Sequence, residues 1–155
     1  IGTLSGVLVA AFVVLAYLFP GRRLIDTGVL VEKLHAVGLG SPVRYFAGLL
    51  YWVTVNAVLE EYVWRWFCVR QCEQLLSRVP AGLLSALLFT LHHILALQVY
   101  MGPLATALCA AGVFVGGVLW SGLYSRYRSI WPGYLSHAVV DVAIFGIAAT
   151  LLLQS

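Results

Sequence analysis

Charge is scarce in this chain. Lys, Arg, Asp and Glu make up 10% of its 155 residues, nine basic and six acidic. A soluble globular protein carries about 25%. From Val79 to Ser125 none of the four occurs. Such a chain cannot dress a water-facing surface, which excludes a soluble domain. It also lacks a basic stripe with interleaved stacking aromatics, so nucleic acid is excluded as a partner. The net charge of +3 comes from Arg and Lys in short polar segments. Cysteine is sparse and odd in number: Cys68, Cys72 and Cys109 have no metal-ligand spacing and read as small apolar filler. There is no internal repeat, no low-complexity segment and no alternating barrel pattern.

What fills the chain instead is apolar: 62% of residues are hydrophobic. It is therefore expected to be an integral, multi-pass membrane protein in contact with the lipid bilayer. The expected fold is all-α, a polytopic membrane helical bundle of about five transmembrane helices plus a short interfacial helix. Backbone polar groups in lipid must be satisfied internally, and helices do this segment by segment. A single membrane-embedded domain is expected over residues 1–155. It divides into a first span (1–21), an interfacial segment (22–42) and a motif-bearing core (43–155). The chain begins at Ile1 rather than Met, so further helices could precede it.

The first apolar run ends at Pro20-Gly21. The next segment mixes Arg22, Arg23, Asp26, Glu32 and Lys33 with apolar residues at helical spacing. It reads as an interfacial helix capped by Asp26 or Thr27. His35 within it reads as an ordinary interfacial histidine. Pro42 opens the second span, about 43–70. The charge-free stretch is too long for one span and breaks at Tyr100-Met101-Gly102-Pro103. That gives a third span of about 80–99 and a fourth of about 103–124. Gly112 and Gly116 in the fourth match a close helix contact pattern. The last span runs from about 131 to 153. Trp52, Trp64, Trp66 and Trp120 read as interfacial belt residues. Orientation is a tie: Arg22, Arg23, Lys33 and Arg44 balance Arg70, Arg78, Arg126 and Arg128.

Few polar groups remain at membrane depth: Glu60, Glu61 and Arg65 in the second span, His92 and His93 in the third, His137 and Asp141 in the last, with Asn56 nearby. Ionisable groups there are expensive unless paired, so they are expected to converge inside the bundle. Glu61 and Arg65 are four apart and can pair on one helical face. Glu60 points about 100° away, on the side of Asn56 and Trp64. Glu61–Arg65 thus reads as the structural pair, with Glu60 free to act. A carboxylate with imidazoles in one wet pocket can run acid–base chemistry on water. The same groups could bind a divalent metal.

These residues resemble the CPBP (ABI) family of intramembrane proteases, which includes the prenyl-protein CAAX endopeptidases and bacteriocin-processing enzymes. Its Glu-Glu-x-x-x-Arg motif matches Glu60, Glu61 and Arg65. Phe-x-x-x-His matches Phe89 and His93. His followed four residues later by Asn or Asp matches His137 and Asp141. The resemblance covers roughly residue 43 to the end. It implies a glutamate-dependent endopeptidase acting on a membrane-associated peptide or protein: a prenylated CAAX-type tail, a leader or a sorting tail. In that case Glu60 would activate water, helped by His93. His137 and Asp141 would hold the scissile carbonyl and the developing oxyanion, and Glu61 and Arg65 would hold the site together. An ionised Asp141 cannot donate a hydrogen bond. It would be protonated, or would orient His137, and the orienting role is the reading taken. His92, about 100° from His93, reads as a packing histidine. There is no His-Glu-x-x-His. Glu60, His93 and His137 could make a three-ligand metal site, but no obligate cofactor is expected. Two alternatives stand beside the protease: a non-catalytic membrane binding or immunity protein of the same fold, and an ion-coupled transporter.

Overall fold

A computed structural model describes residues 1–154 apart from the side chain of Pro20; Ser155, the last residue of the expected domain, lies outside the described residues. The architecture is all-helical, with no strand among the described residues. Helix α1 (Gly2–Ala16) widens into a π-helical turn, Tyr17–Gly21, and continues through Arg22–Leu24. Pro20 has no N–H to donate, so the regular ladder cannot run through it. The helical path therefore ends three residues beyond the expected break.

Helix α2 (Thr27–Ala36) is the short helix expected in the interfacial segment. Asp26 is its N-cap: the backbone N–H of Val29 donates to Asp26 Oδ1 at 3.1 Å. It stops at Gly38, whose φ of 85° is left-handed. There Leu39 N–H reaches back to the Leu34 carbonyl at 2.8 Å, closing the helix end.

Ser41 and Pro42 open the next helical run, α3, over residues 42–72. It alternates between α and π geometry: Pro42–Tyr51 α, Trp52–Asn56 π, Ala57–Glu61 α, Tyr62–Val69 π and Arg70–Cys72 α. Helices α4 (Arg78–Tyr100), α5 (Pro103–Tyr127) and α6 (Trp131–Leu152) follow. The α4–α5 break falls at Met101-Gly102, where it was expected, with Pro103 in the first turn of α5.

Among the described residues, four helices are long and apolar enough to cross a membrane: Gly2–Phe19, Arg78–Tyr100, Pro103–Tyr127 and Trp131–Leu152. The run 42–72, expected as the second span, is not among them. It carries five charges, Arg44, Glu60, Glu61, Arg65 and Arg70, and its regular helical pieces are short. Large apolar side chains such as Phe12, Leu95 and Val115 point outward, each about two-thirds exposed. A surface of this kind suits lipid. The protein is a multi-pass membrane protein.

Helix α4 packs along α5, and α1 along α6, with α5 resting on α6. The α4–α5 approach rests on Gly117, whose missing Cβ would sit 3.2 Å from the Ala86 Cβ. The Gly112–Gly116 pair singled out in the sequence does not make this contact, because Gly112 faces open space. The α1–α6 approach is closer still: at Gly6 the α1 backbone lies against the Ser136 carbonyl, with no room for a Cβ. Phe89, Trp120, Leu123 and Val140 form the buried core, and Trp64 packs against it from α3. Cys68, Cys72 and Cys109 are free thiols.

Candidate active site

The site is assembled from three helices, and α3 sets its geometry. Ala57, Glu61, Arg65 and Val69 are each completely buried. They recur every four residues. On an ideal α-helix each such step rotates the face by about 40°, so the last residue would have turned about 120° from the first. The π turns flanking Ala57–Glu61 hold more residues per turn and cancel this drift. All four side chains therefore stay on one face. The π stretch breaks the regular carbonyl ladder, and a neighbouring helix compensates: Ser85 of α4 donates its hydroxyl to the Trp64 carbonyl at 2.6 Å.

Glu61 pairs with Arg65 along this face, Oε1 to Nε at 3.5 Å, with both side chains fully buried. Among the described residues the guanidinium has no hydrogen-bond acceptor. It is held by charge and by two ring faces. Its carbon lies 4.6 Å from the Phe89 centroid and 5.6 Å from that of Trp120. Cation–π contacts strengthen when desolvated, as here.

His137 of α6 enters beside this pair, 4% exposed. Its Nδ1 lies 3.1 Å from Glu61 Oε1, so the carboxylate accepts from this nitrogen when it is protonated. Its Nε2 faces Glu60 Oε2 at 3.5 Å and Asp141 Oδ1 at 3.7 Å. One imidazole thus bridges the adjacent glutamates. Glu61 is sealed off, while the Glu60 side chain keeps 15% exposure. The carboxylate that orients His137 is Glu61. Asp141, to which the sequence reading gave that role, lies beyond hydrogen-bond distance, and its Oδ2 has no hydrogen-bond partner among the described residues.

His93 stands one ring away. Phe89 separates the two histidines, its centroid 4.3 Å from His93 and 6.1 Å from His137. His93 Nδ1 lies 3.0 Å from the Phe89 carbonyl, which can only accept. The proton therefore sits on Nδ1, leaving Nε2 as a lone-pair acceptor in the neutral ring. No ion pair or hydrogen bond joins His93 to Glu60 among the described residues. His92 is exposed and tilts against Trp64, with centroids 5.9 Å apart.

Two neighbours of the cluster were not singled out as site residues. Gly133, one turn before His137, lies directly against Glu61 Oε2, and a Cβ there would overlap the oxygen. Alanine would ordinarily gain about 1 kcal/mol over glycine in a helix. Overpacking typically costs about 1–3 kcal/mol and should win. Gly133→Ala is therefore expected to lower stability in denaturant unfolding of the detergent-solubilised protein. A stability gain would mean that Glu61 has room to move. The second neighbour is Trp120, read from sequence as an interfacial belt residue. It is 4% exposed, and its ring stacks on His137. A tryptophan in a long apolar run carries no local sign of which side it faces, so nothing in the sequence separated it from the outward ones.

Among the described residues no group of three or more His, Cys, Asp or Glu side chains is arranged to hold a metal ion. What the cluster offers is a buried ion pair, an imidazole held between carboxylates and one partly accessible carboxylate. A group that exchanges protons with a substrate must be within its reach, and of the two glutamates only Glu60 is accessible. No curated protein and no solved structure matches the chain. A family model does, described as type II CAAX prenyl endopeptidase Rce1-like. It spans residues 42–143, from the start of α3 to just past Asp141, and so encloses every residue of the cluster; the chain belongs to this Rce1-like branch of the CPBP family.

Proposed function

We propose that the chain is an intramembrane endopeptidase in which Glu60 activates the attacking water. The family supports a protease of CAAX type acting on membrane-associated protein substrates. The observation that carries the finer assignment is the His137 bridge. Glu61 is fixed by Arg65 and by Nδ1 of the ring, while Glu60 faces Nε2 from the accessible side.

In this mechanism Glu60 takes a proton from water as the oxygen attacks the scissile carbonyl carbon. The carbonyl π electrons move onto its oxygen. His137, acting as the imidazolium with its Nδ1–H held by Glu61, donates from Nε2 to that oxyanion. The carbonyl then re-forms as the C–N bond breaks, the proton held by Glu60 passes to the leaving amine, and proton exchange between the new acid and the amine leaves a carboxylate and an ammonium. His93 accepts a hydrogen bond from the water through Nε2 and orients it. Preorganised polar groups in an apolar pocket supply most of the rate.

Asp141 has a definite part in this scheme. With Glu61 at Nδ1, the orienting role is filled, and a protonated Asp141 can donate to the oxyanion beside Nε2. Asp141→Asn preserves a donor and is expected to keep activity within about tenfold of wild type. Asp141→Leu should lose about 10²–10³-fold in kcat, as loss of one oxyanion donor does elsewhere. Equal loss in both variants would mean that a negative charge is needed at this position.

The overall test is cleavage of a panel of membrane-tethered peptides, prenylated and unprenylated, by the reconstituted protein. Cleavage that persists with a chelator present and disappears in Glu60→Gln supports the proposal. Cleavage lost with chelator would replace it with metal-assisted hydrolysis. No cleavage of any peptide would count against the endopeptidase reading.

A further inference from the structure

From the packing around His137 we infer that Trp120 is a positioning residue for the reaction, acting as a shelf that fixes the plane of the His137 ring. The inference rests on the endopeptidase reading for its kinetic consequence, but not for its geometry. Trp120 lies on α5, which carries none of the three motifs. Its ring stacks on His137 with centroids 4.1 Å apart and planes 13° from parallel. The indole is itself pinned: its N–H donates to Ser136 Oγ at 3.0 Å, and Ser136 is fully buried. Phe89 meets it edge-on, with centroids 5.9 Å apart and planes at 80°.

An imidazole on a helix has two soft torsions. The Glu61 contact at Nδ1 anchors one edge of the ring but leaves it free to swing about that contact. The indole face removes the swing. Together they leave Nε2 one direction, toward Glu60 and Asp141. Ser136 makes the arrangement self-consistent, because the residue that pins the indole is the chain neighbour of the histidine the indole supports. A ring packed only to fill space would need no such parallel register and no partner for its N–H, although a buried indole generally finds one.

The test uses the full chain in detergent or bilayer. Misplacing a catalytic group by about 1 Å can cost about 100-fold. Trp120→Leu should therefore lower kcat by about 100-fold with KM little changed. Trp120→Phe, which keeps a ring under His137 but loses the N–H, should retain at least about a tenth of the wild-type kcat. Ser136→Ala should lose about fivefold, the rate equivalent of one hydrogen bond of about 1 kcal/mol. A second readout needs no activity. Resonances of the His137 ring, labelled with ¹³C, should be shifted upfield by the stacked indole and should move back in Trp120→Leu. Wild-type kcat in Trp120→Leu would overturn the proposal, as would a His137 resonance that does not respond to it. If Trp120→Leu does not fold, Trp120→Phe and Ser136→Ala carry both readouts. If no form of the protein cleaves any peptide, the endopeptidase reading fails. The shelf is then still supported by a His137 shift that depends on Trp120, and overturned by its absence.

Discussion

Glu60→Gln should abolish cleavage and leave the protein folded. A general base typically contributes about 10²–10⁴-fold, and here the same group also returns the proton to the leaving amine. A loss at the upper end of that range is therefore expected. The amide is nearly isosteric and can still accept from His137 Nε2, which lies 3.5 Å from the native carboxylate. The side chain sits at the accessible edge of the cluster and no buried cation depends on it alone, since Arg65 pairs with Glu61. Yield and unfolding midpoint should accordingly match wild type. The deciding measurement is kcat/KM on a tethered peptide, run beside denaturant unfolding. A variant that cleaves at the wild-type rate would remove Glu60 from the chemistry.

The neighbouring substitution should behave differently. Glu61→Gln removes the negative charge that faces a guanidinium with no other acceptor among the described residues. Breaking a buried ion pair by neutralising one partner costs about 3–5 kcal/mol, because the remaining charge stays buried and uncompensated. The nitrogen-to-oxygen distance of 3.5 Å is not ideal, which argues for the lower end, about 3 kcal/mol. Cleavage should also fall, since Nδ1 of His137 loses its charged acceptor. The signature is a lower unfolding midpoint together with lost activity, against lost activity alone in Glu60→Gln. Two variants equally stable and equally inactive would show that the adjacent glutamates do not divide the work in this way.

Much of this arrangement could be read from residues in order. A charge-free stretch from Val79 to Ser125 must fold as two helices, and the only Gly-Pro step within it falls at the observed α4–α5 break. Asp26 announced the cap of α2. Glu60, Glu61, Arg65, His137 and Asp141 do converge, because a low-dielectric interior leaves them no cheaper place. What remained hidden depends on contacts between distant segments. Ala57, Glu61, Arg65 and Val69 repeat every four residues, a period that fits neither an α-helix nor a strand, and π turns explain it only once they are seen. Gly112 and Gly116 matched a contact pattern, but Gly112 faces open space, while Gly117, one residue on, makes the contact. Asp141 is four residues from His137 on the same helix, which favoured it as the orienting group. Glu61, 76 residues away in sequence, is closer in space.

The backbone contact between Gly6 and Ser136 joins helices from the two ends of the chain. During N-to-C synthesis α3 enters the bilayer with two acids and one nearby cation, while His137 has yet to be made. Until α6 arrives, that imbalance has to be carried in apolar surroundings or masked by water. The arrival of α6 does two things at once: it delivers the imidazole to the glutamates and gives α1 its docking face. Completion of the Glu60–Glu61–His137 cluster is thereby coupled to the docking of α6 against α1. On the proposed mechanism, a nascent chain in which α6 has not yet docked lacks His137 beside its glutamates and cannot cut its own neighbours.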